Sequence, residues 1–342
     1  MGLQIGEIIS KKEISFSSLR GKTIAVDAFN ALYQFLTTIR QPDGTPLQDS
    51  KGNVTSHLSG LFYRNMSLIL EGVQLIYVFD GEAPALKEKT HEKRHAAKKE
   101  MREKYDRAVE EGNVEAMGKY ARASTSLDEQ KISESKELLA AMGIAVVQAP
   151  GEGEAQASYL VKEGIAYAVA SQDYDCLMFE APRLIQNVSL ARKRKTISGF
   201  VEVFPQMIEL AKVLEELSLT QEQLICLGII TGTDYNPGGI KGLGPKKSLK
   251  IVQTYKTKEK IFEALATDEA FSKYVIDFDW KEIYEELIHP RIDKRPSIIF
   301  PKRDEKKIKE ILLQYEFSEE RIDTQLEKLQ ELKKQAGQKK LF

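Results

Sequence analysis

The chain has 342 residues, enough for one large α/β domain or two smaller ones, with 42% hydrophobic and 30% charged residues and a formal net charge of −1. No run reaches the ~18 apolar residues of a membrane span, and the start MGLQIGE has neither the basic-then-apolar order of a signal peptide nor the Ser or Thr at position 6 of a myristoylation site. Cys176 and Cys226 sit among apolar neighbours, so buried free thiols in an intracellular protein without membrane contact are expected.

Residues 23–80 read as strand, helix, irregular segment, helix, strand, and the irregular part (41–53) is rich in turn residues. From 85 to 130 apolar content falls and charges alternate. The stretch 85–111 lacks Pro and Gly, which favours a helix, but one with no core-facing stripe. Between 87 and 107 it carries nine basic and five acidic residues, and Lys87 and Arg94, seven apart, share a helix face. Such a run serves as a solvated face or, beside a metal cluster, as a channel for a nucleic-acid backbone. Residues 91–95 (HEKRH) match the zinc-protease pattern HExxH, but charged flanks on all sides make this a chance match. From 131 the α/β pattern returns: a helix, a strand near 144–149, a helix near 154–163 and a strand near 166–171. Residues 207–231 read as two helices, followed by a Gly-rich turn at 238–245, another helix, and a charged helical tail from 303. Strands alternating with helices indicate an α/β fold with a mostly parallel central sheet flanked by helices.

Several buried-looking strands end in acids. TIAVD (23–27), LIYVFD (75–80), the PGEGE turn (150–154) and ASQDYD (170–175) supply Asp27, Asp80, Glu152, Glu154, Asp173 and Asp175, and Asp234 in GTDY is a candidate seventh. In open α/β sheets ligands collect outside the carboxyl ends of the strands. One such Asp is explained equally well as a helix N-cap, and Asp27 precedes a helical stretch. Two carboxylates two residues apart in one turn, occurring twice, exceed what caps need. Oxygen-only donors suit Mg²⁺ or Mn²⁺, and two such ions are the usual apparatus of phosphoryl displacement.

The segment GGIKGLGPKK (238–247) lies between helical stretches. Its glycines let the backbone approach a ligand, and Lys241, Lys246 and Lys247 add charge. This is the helix-hairpin-helix form, which grips duplex backbone without reading bases. The alternative is a Gly-rich connector with solvated lysines.

Taken in order, the blocks AVDAFNALYQFL (25–36), TSHLSGLFYR (55–64), VFDGEAPALK (78–87), APGEGEAQA (149–157), SQDYDCL (171–177) and GTDY (232–235) resemble those of the flap endonucleases, a branch of the structure-specific 5′ nuclease family. The resemblance spans nearly the whole chain. It implies an N-terminal nuclease region (1–100), a helical arch segment (85–130), an internal nuclease region (118–258) with the helix-hairpin-helix at 226–258, a C-terminal helical part (259–334) and a clamp-binding tail (335–342). The two nuclease regions would form one compact domain. It further implies two Mg²⁺ ions, replaceable by Mn²⁺, held by the seven acids, with K⁺ at the hairpin. Lys87 and Arg94 match the basic residues that reach the scissile phosphate from the arch base, and Tyr33 matches an aromatic that stacks on the threaded strand. Lys98 stands where a further arch arginine is often found. Arg40, Thr55 and Arg64 lie where the family handles upstream duplex and its 3′ flap, while Gly239, Ile240 and Gly242 belong to the hairpin.

The implied activity is structure-specific cleavage at the base of 5′ flaps in Okazaki-fragment maturation and base-excision repair, with some 5′-3′ exonuclease activity. The implied partners are branched DNA (5′ and double flaps) and a replication sliding clamp, for a monomeric enzyme. The family's clamp peptide is imperfect here: aligned from Gln335, Gln338 stands at the aliphatic position and Leu341 at the first aromatic one before Phe342, and aligned from Gln338, Leu341 fits the aliphatic position but the sequence stops one residue later. The tail also lacks a long basic extension, which points to an archaeal source and a cytoplasmic or nucleoid location. A related 5′ exonuclease and a non-catalytic DNA-junction-binding protein are the alternatives.

Overall fold

A computed structural model describes residues 3–41, 44–123, 125–188, 193–196 and 199–338. Its strands are β1 (Lys12–Glu13), β2 (Thr23–Asp27), β3 (Gln74–Phe79), β4 (Ala145–Gln148), β5 (Ala168–Ala170), β6 (Arg183–Gln186), β7 (Lys193–Thr196), β8 (Gly199–Glu202) and β9 (Gln206–Glu209). Seven of them form one sheet in the order β1-β9-β6-β5-β2-β3-β4, and β7 and β8 pair separately. The five strands from β6 to β4 run parallel, whereas β9 and β1 add antiparallel to one edge.

The central strands are apolar runs, as strands covered on both faces must be. Side-chain alternation divides them between two cores. Ala25, Ile76 and Val78 enter one, and Ile24, Val26, Leu75, Tyr77 and Phe79 enter the other. The second core is covered by α1 (Ala28–Thr38) and α2 (Ser56–Leu70), which pack against each other where Gly60 leaves room for the buried ring of Phe35.

Helices α3 (Glu88–Glu110) and α4 (Val114–Ala123) pack on each other as a pair standing off these cores, as expected of a helix without an apolar stripe. Helices α5 (Glu129–Ala141), α6 (Gly153–Lys162) and the single turn α7 (Asp175–Met178) return the chain to the sheet. Next come α8 (Leu210–Leu217), α9 (Gln221–Thr231), α10 (Pro245–Tyr255), α11 (Lys258–Thr267) and α12 (Trp280–Ile288) on the first core. Finally α13 (Glu305–Gln314) and α14 (Glu319–Gln338) close the second. No helix among the described residues is long and apolar enough to cross a membrane.

One assignment is corrected. Residues 207–231 were expected to hold two helices only, but β9 occupies the first three of them because Gln206–Glu209 pairs antiparallel with β6 before α8 begins. Both cysteines are buried free thiols, as expected.

The topology itself positions the acids. β3 lies on one side of β2 and β5 on the other, and the chain winds outward in opposite directions from these neighbours, so a switch point opens at the β2/β5 edge. The pairing Val26 with Ala170 sets Ser171 beside Asp27, and the pairing Asp27 with Val78 brings the β3 end level with it. Phe35→Ala should lower unfolding free energy by about 3–5 kcal/mol, measured by urea denaturation, because it leaves a void between α1 and α2.

Candidate active site

At the switch point lies a cavity of about 1030 Å³ lined by Asp27, Asp80, Glu152, Glu154, Asp173 and Asp234, with Lys87, Phe29, Asn30, Tyr33 and Lys98 in its walls. Asp175 stands behind it, buried, and carboxylate oxygens of Glu154, Asp173 and Asp175 come within 4.8 Å of one another. The structure therefore brings all seven sequence-predicted acids into one neighbourhood.

Backbone amides hold these acids in place. Asp27 Oδ1 caps α1 by accepting from Asn30 N at 3.0 Å, and its Oδ2 accepts from Ser171 Oγ at 3.1 Å. The capping explanation and the cluster explanation of Asp27 thus both hold. Asp80 Oδ1 accepts from Gly153 N, the first residue of α6, at 2.6 Å. A side chain at Gly153 would collide there, since its Cβ would lie 2.5 Å from that same oxygen. Asp175 Oδ1 accepts from Leu3 N at 2.6 Å, tying the start of the described chain to the site.

Burial governs the protonation of the cluster, and neighbouring carboxylates add to it. Burial, reinforced by the Asp80 charge, pushes the Asp27 carboxyl from 3.8 up to about 7. Burial raises Asp80 to about 6, with the Gly153 amide and Lys87 opposing. Glu154 and Asp175 are held well above the usual carboxylate range by burial and then by Asp173, and Asp173 itself is raised, again chiefly by burial.

Lys87 is the cation set against these charges. It ends a 3₁₀ turn (Ala85–Lys87) immediately before α3, ion-pairs with Glu152 Oε1 and lies 3.7 Å from Asp234 Oδ2. Burial alone would lower its ammonium, but Glu152, Glu154 and Asp234 raise it above the ordinary lysine value. An all-oxygen donor set with this excess of buried negative charge fits hard divalent cations of the Mg²⁺ or Mn²⁺ kind.

The remaining candidates divide by location. Tyr33 and Lys98 meet over the cavity: Lys98 Nζ donates to the Tyr33 hydroxyl at 2.9 Å and lies 4.6 Å from the ring centroid, joining α3 to α1. Arg94 lies on α3, and its side chain falls outside the described residues. Arg40 is committed locally, its guanidinium donating to Gly44 O at 2.9 Å, Ala121 O at 3.1 Å and Thr125 Oγ1 at 2.8 Å. Thr55 is buried at the start of α2, its amide donating to Leu47 O at 2.7 Å. Arg64 is half-buried in a separate cleft of about 460 Å³ with Tyr63, Arg321 and Thr324, between α2 and α14.

Gly239, Ile240 and Gly242 form the turn between α9 and α10. Gly239 and Gly242 have φ of +54° and +91°, Ile240 is buried and anchored by Ile240 N donating to Ile230 O at 2.8 Å, and Lys241, Lys246 and Lys247 are exposed. Gln335 lies on α14, whereas Leu341 and Phe342 lie outside the described residues. Sequence reasoning missed Tyr235, whose hydroxyl donates to Glu152 Oε2. Its only signal was its place beside Asp234 in GTDY.

Two family models match the chain, the XPG N-terminal domain over residues 2–101 and the XPG I-region over residues 143–234. The chain is 48% identical over 344 residues to flap endonuclease 1 of Pyrococcus furiosus, covering 100% of this chain and 98% of that relative. It is 46% identical over 330 residues to flap endonuclease 1 of Saccharolobus solfataricus, covering 95% and 93% respectively. Among solved structures, flap endonuclease-1 from Methanococcus jannaschii superposes with a TM-score of 0.74 at 38% identity, covering 96% of this chain and 98% of that one. The catalytic core of Rad2 in complex with DNA substrate has the same fold, with a TM-score of 0.70 at 20% identity, covering 92% of this chain and 95% of that one.

The raised carboxyls fix a pH dependence. A group whose folded pKa lies above its unfolded value adds stability below the unfolded pKa and loses it as pH rises through the folded one. For Asp27 and Asp80 that window runs from 3.8 to about 7 and about 6. In chelator, replacing Asp27 by Asn should therefore raise the melting temperature more at about pH 8 than at about pH 5, where the native carboxyls hold more protons. An equal effect at both pH values would show that the Asp27 carboxyl is not held above its unfolded value in the fold.

Proposed function

The chain belongs to the flap endonuclease family, and from that membership we propose that it is a structure-specific 5′ nuclease. It hydrolyses DNA phosphodiester bonds at the base of 5′ flaps, as in Okazaki-fragment maturation and base-excision repair, with some 5′-3′ exonuclease activity. The observation that carries this reading is the carboxylate cluster at the β2/β5 edge with Lys87 set into it from the base of α3.

Asp80, Glu154, Asp173 and Asp175 would hold divalent cations, with Asp27, Glu152 and Asp234 around them; Mg²⁺ is the proposed ion, with Mn²⁺ as substitute. Bound there, such ions supply a water that is ionised near neutral pH and offset charge on the leaving oxygen. Lys87 keeps its proton because three carboxylates surround it, so it presents a fixed positive charge where a phosphoryl group would enter. Arg94, seven residues further along in α3, is proposed to share that task.

Tyr33 offers an aromatic face at the cavity wall for a base of the threaded strand, and Lys98, now on its hydroxyl, would turn to the strand's phosphates. The turn at 238–244 leads into the N-terminus of α10, and the positive end of that helix with the exposed Lys241, Lys246 and Lys247 suits a duplex backbone, with K⁺ as the proposed ion there. Arg64, in its cleft between α2 and α14, and Thr55 and Arg40 beside the 44–47 segment are proposed to serve the upstream duplex.

The regional division proposed is nuclease regions at 1–100 and 118–258, the arch segment at 85–130, and helical residues 259–334. A tail at 335–342 would meet a sliding clamp through Gln335, Leu341 and Phe342. A monomer acting on 5′ and double flaps completes the proposal.

Asp80→Ala or Asp175→Ala should reduce cleavage of an end-labelled double-flap substrate in Mg²⁺ by about 10³-fold or more while DNA affinity changes little. The parent protein should make a single cut near the flap base and leave single-stranded and fully duplex controls intact. A near-normal rate in either variant would refute the ligand assignment. Stepwise mononucleotide release from duplex would assign the chain to exonuclease relatives, and binding without any cut would favour the junction-binding alternative.

A further inference from the structure

Tyr235 has no part in the mechanism above, yet it touches both groups that set the charge at the arch base. Its side chain is buried, at 8% exposure. The hydroxyl donates to Glu152 Oε2, while Lys87 Nζ occupies Glu152 Oε1, so the two oxygens of Glu152 are shared between a phenol and an ammonium. The same ammonium lies 4.9 Å from the centroid of the Tyr235 ring. Lys87 is thus confined from two sides, by carboxylates and by an aromatic face. A lysine on a long flexible stem gains from such confinement, since its charge is otherwise spread over many rotamers.

The turn that carries Tyr235 is itself fixed. Thr233 Oγ1 donates to Asn236 Oδ1 at 2.8 Å and accepts from Tyr235 N at 3.1 Å, and Asn236 Nδ2 donates to Ile229 O at 2.7 Å. Thr233 and Asn236 are both buried. This network anchors the turn to α9. Tyr235 therefore offers Lys87 a reference point on the rigid body of the protein, independent of the arch on which the lysine is mounted.

We propose that Tyr235 is a positioning residue for Lys87, aligning its ammonium through the ring face and through the shared carboxylate Glu152. The proposal rests on the reading of Lys87 given above. It is tested by a double-mutant cycle of Tyr235→Leu and Lys87→Ala on the full chain, using double-flap DNA in Mg²⁺, with DNA affinity from fluorescence anisotropy and folding from thermal melting. In the parent background Tyr235→Leu should lower kcat by about tenfold or more and move KM by less than about twofold. In the Lys87→Ala background the same change should cost less than about twofold, because the group it aligns is gone.

Tyr235→Phe, which keeps the ring and loses the hydroxyl, should lie between parent and Tyr235→Leu, and it replaces the leucine variant in the cycle if that variant does not fold. Equal losses in both backgrounds, an unchanged kcat, or a loss confined to KM or DNA affinity would each overturn the proposal. A normal rate for Lys87→Ala alone would remove the reading of Lys87 and the proposal with it. Each arm is measured separately, so that failure is distinguishable from a Tyr235 effect independent of Lys87.

Discussion

Repulsion among buried carboxylates is the constraint on which the rest of the structure depends. Parallel pairing of β2 with β3 and β5 brings the ends of three strands to one edge, and the sequence puts an acid at or just beyond each. The fold answers with backbone dipoles. The amides of Asn30, Gly153 and Leu3 each point at one carboxylate, two of them from helix N-terminal turns. These donors hold the acids in register without neutralising them, and the carboxyls of Asp27 and Asp80 still rise to about 7 and about 6. Lys87 supplies one positive charge against several negative ones. An all-oxygen site with this excess of negative charge suits hard cations.

The arch follows from a second constraint. A helix as charged as α3 has no apolar stripe to bury, so it packs on α4 and reaches the body of the protein through polar contacts such as Lys98 with Tyr33. Standing off the cores, α3 walls the site cavity through Ala96, Lys98 and Lys99 without filling it. Its base is anchored more firmly, because Lys87 sits among carboxylates at the start of α6 and in the turn after α9. The helix pair is thus tied to the body at its base by Lys87 and along its length by contacts such as Lys98 with Tyr33.

Much of this was legible in the sequence for physical reasons. An Asp or Glu at the end of a fully apolar strand is costly unless used, so Asp27, Asp80, Asp173 and Asp175 stood out, and the structure gathers them with the other three acids. The glycines at 239 and 242 do adopt positive φ, as a backbone turn aimed at a ligand requires. Other features depend on long-range contacts that no local pattern encodes. β9 is only four residues long and exists because β6 offers it a partner, so periodicity read the start of its stretch as helix. The contact of Tyr235 with Glu152 is another such feature, since a phenol reaching a carboxylate more than eighty positions away leaves no trace in spacing. The same holds for the contacts of Arg40, whose guanidinium donates to the carbonyls of Gly44 and Ala121 and to Thr125.

The central claim is that this edge is a cation site whose negative charge exceeds what the protein itself supplies to balance it. Calorimetric titration of the DNA-free chain with Mn²⁺, beside Asp173→Asn and Asp175→Asn, tests it most directly. Saturable binding by the parent, weakened about tenfold or more in each variant, is the predicted result. Binding that is absent from the parent, or unchanged in both variants, would contradict it.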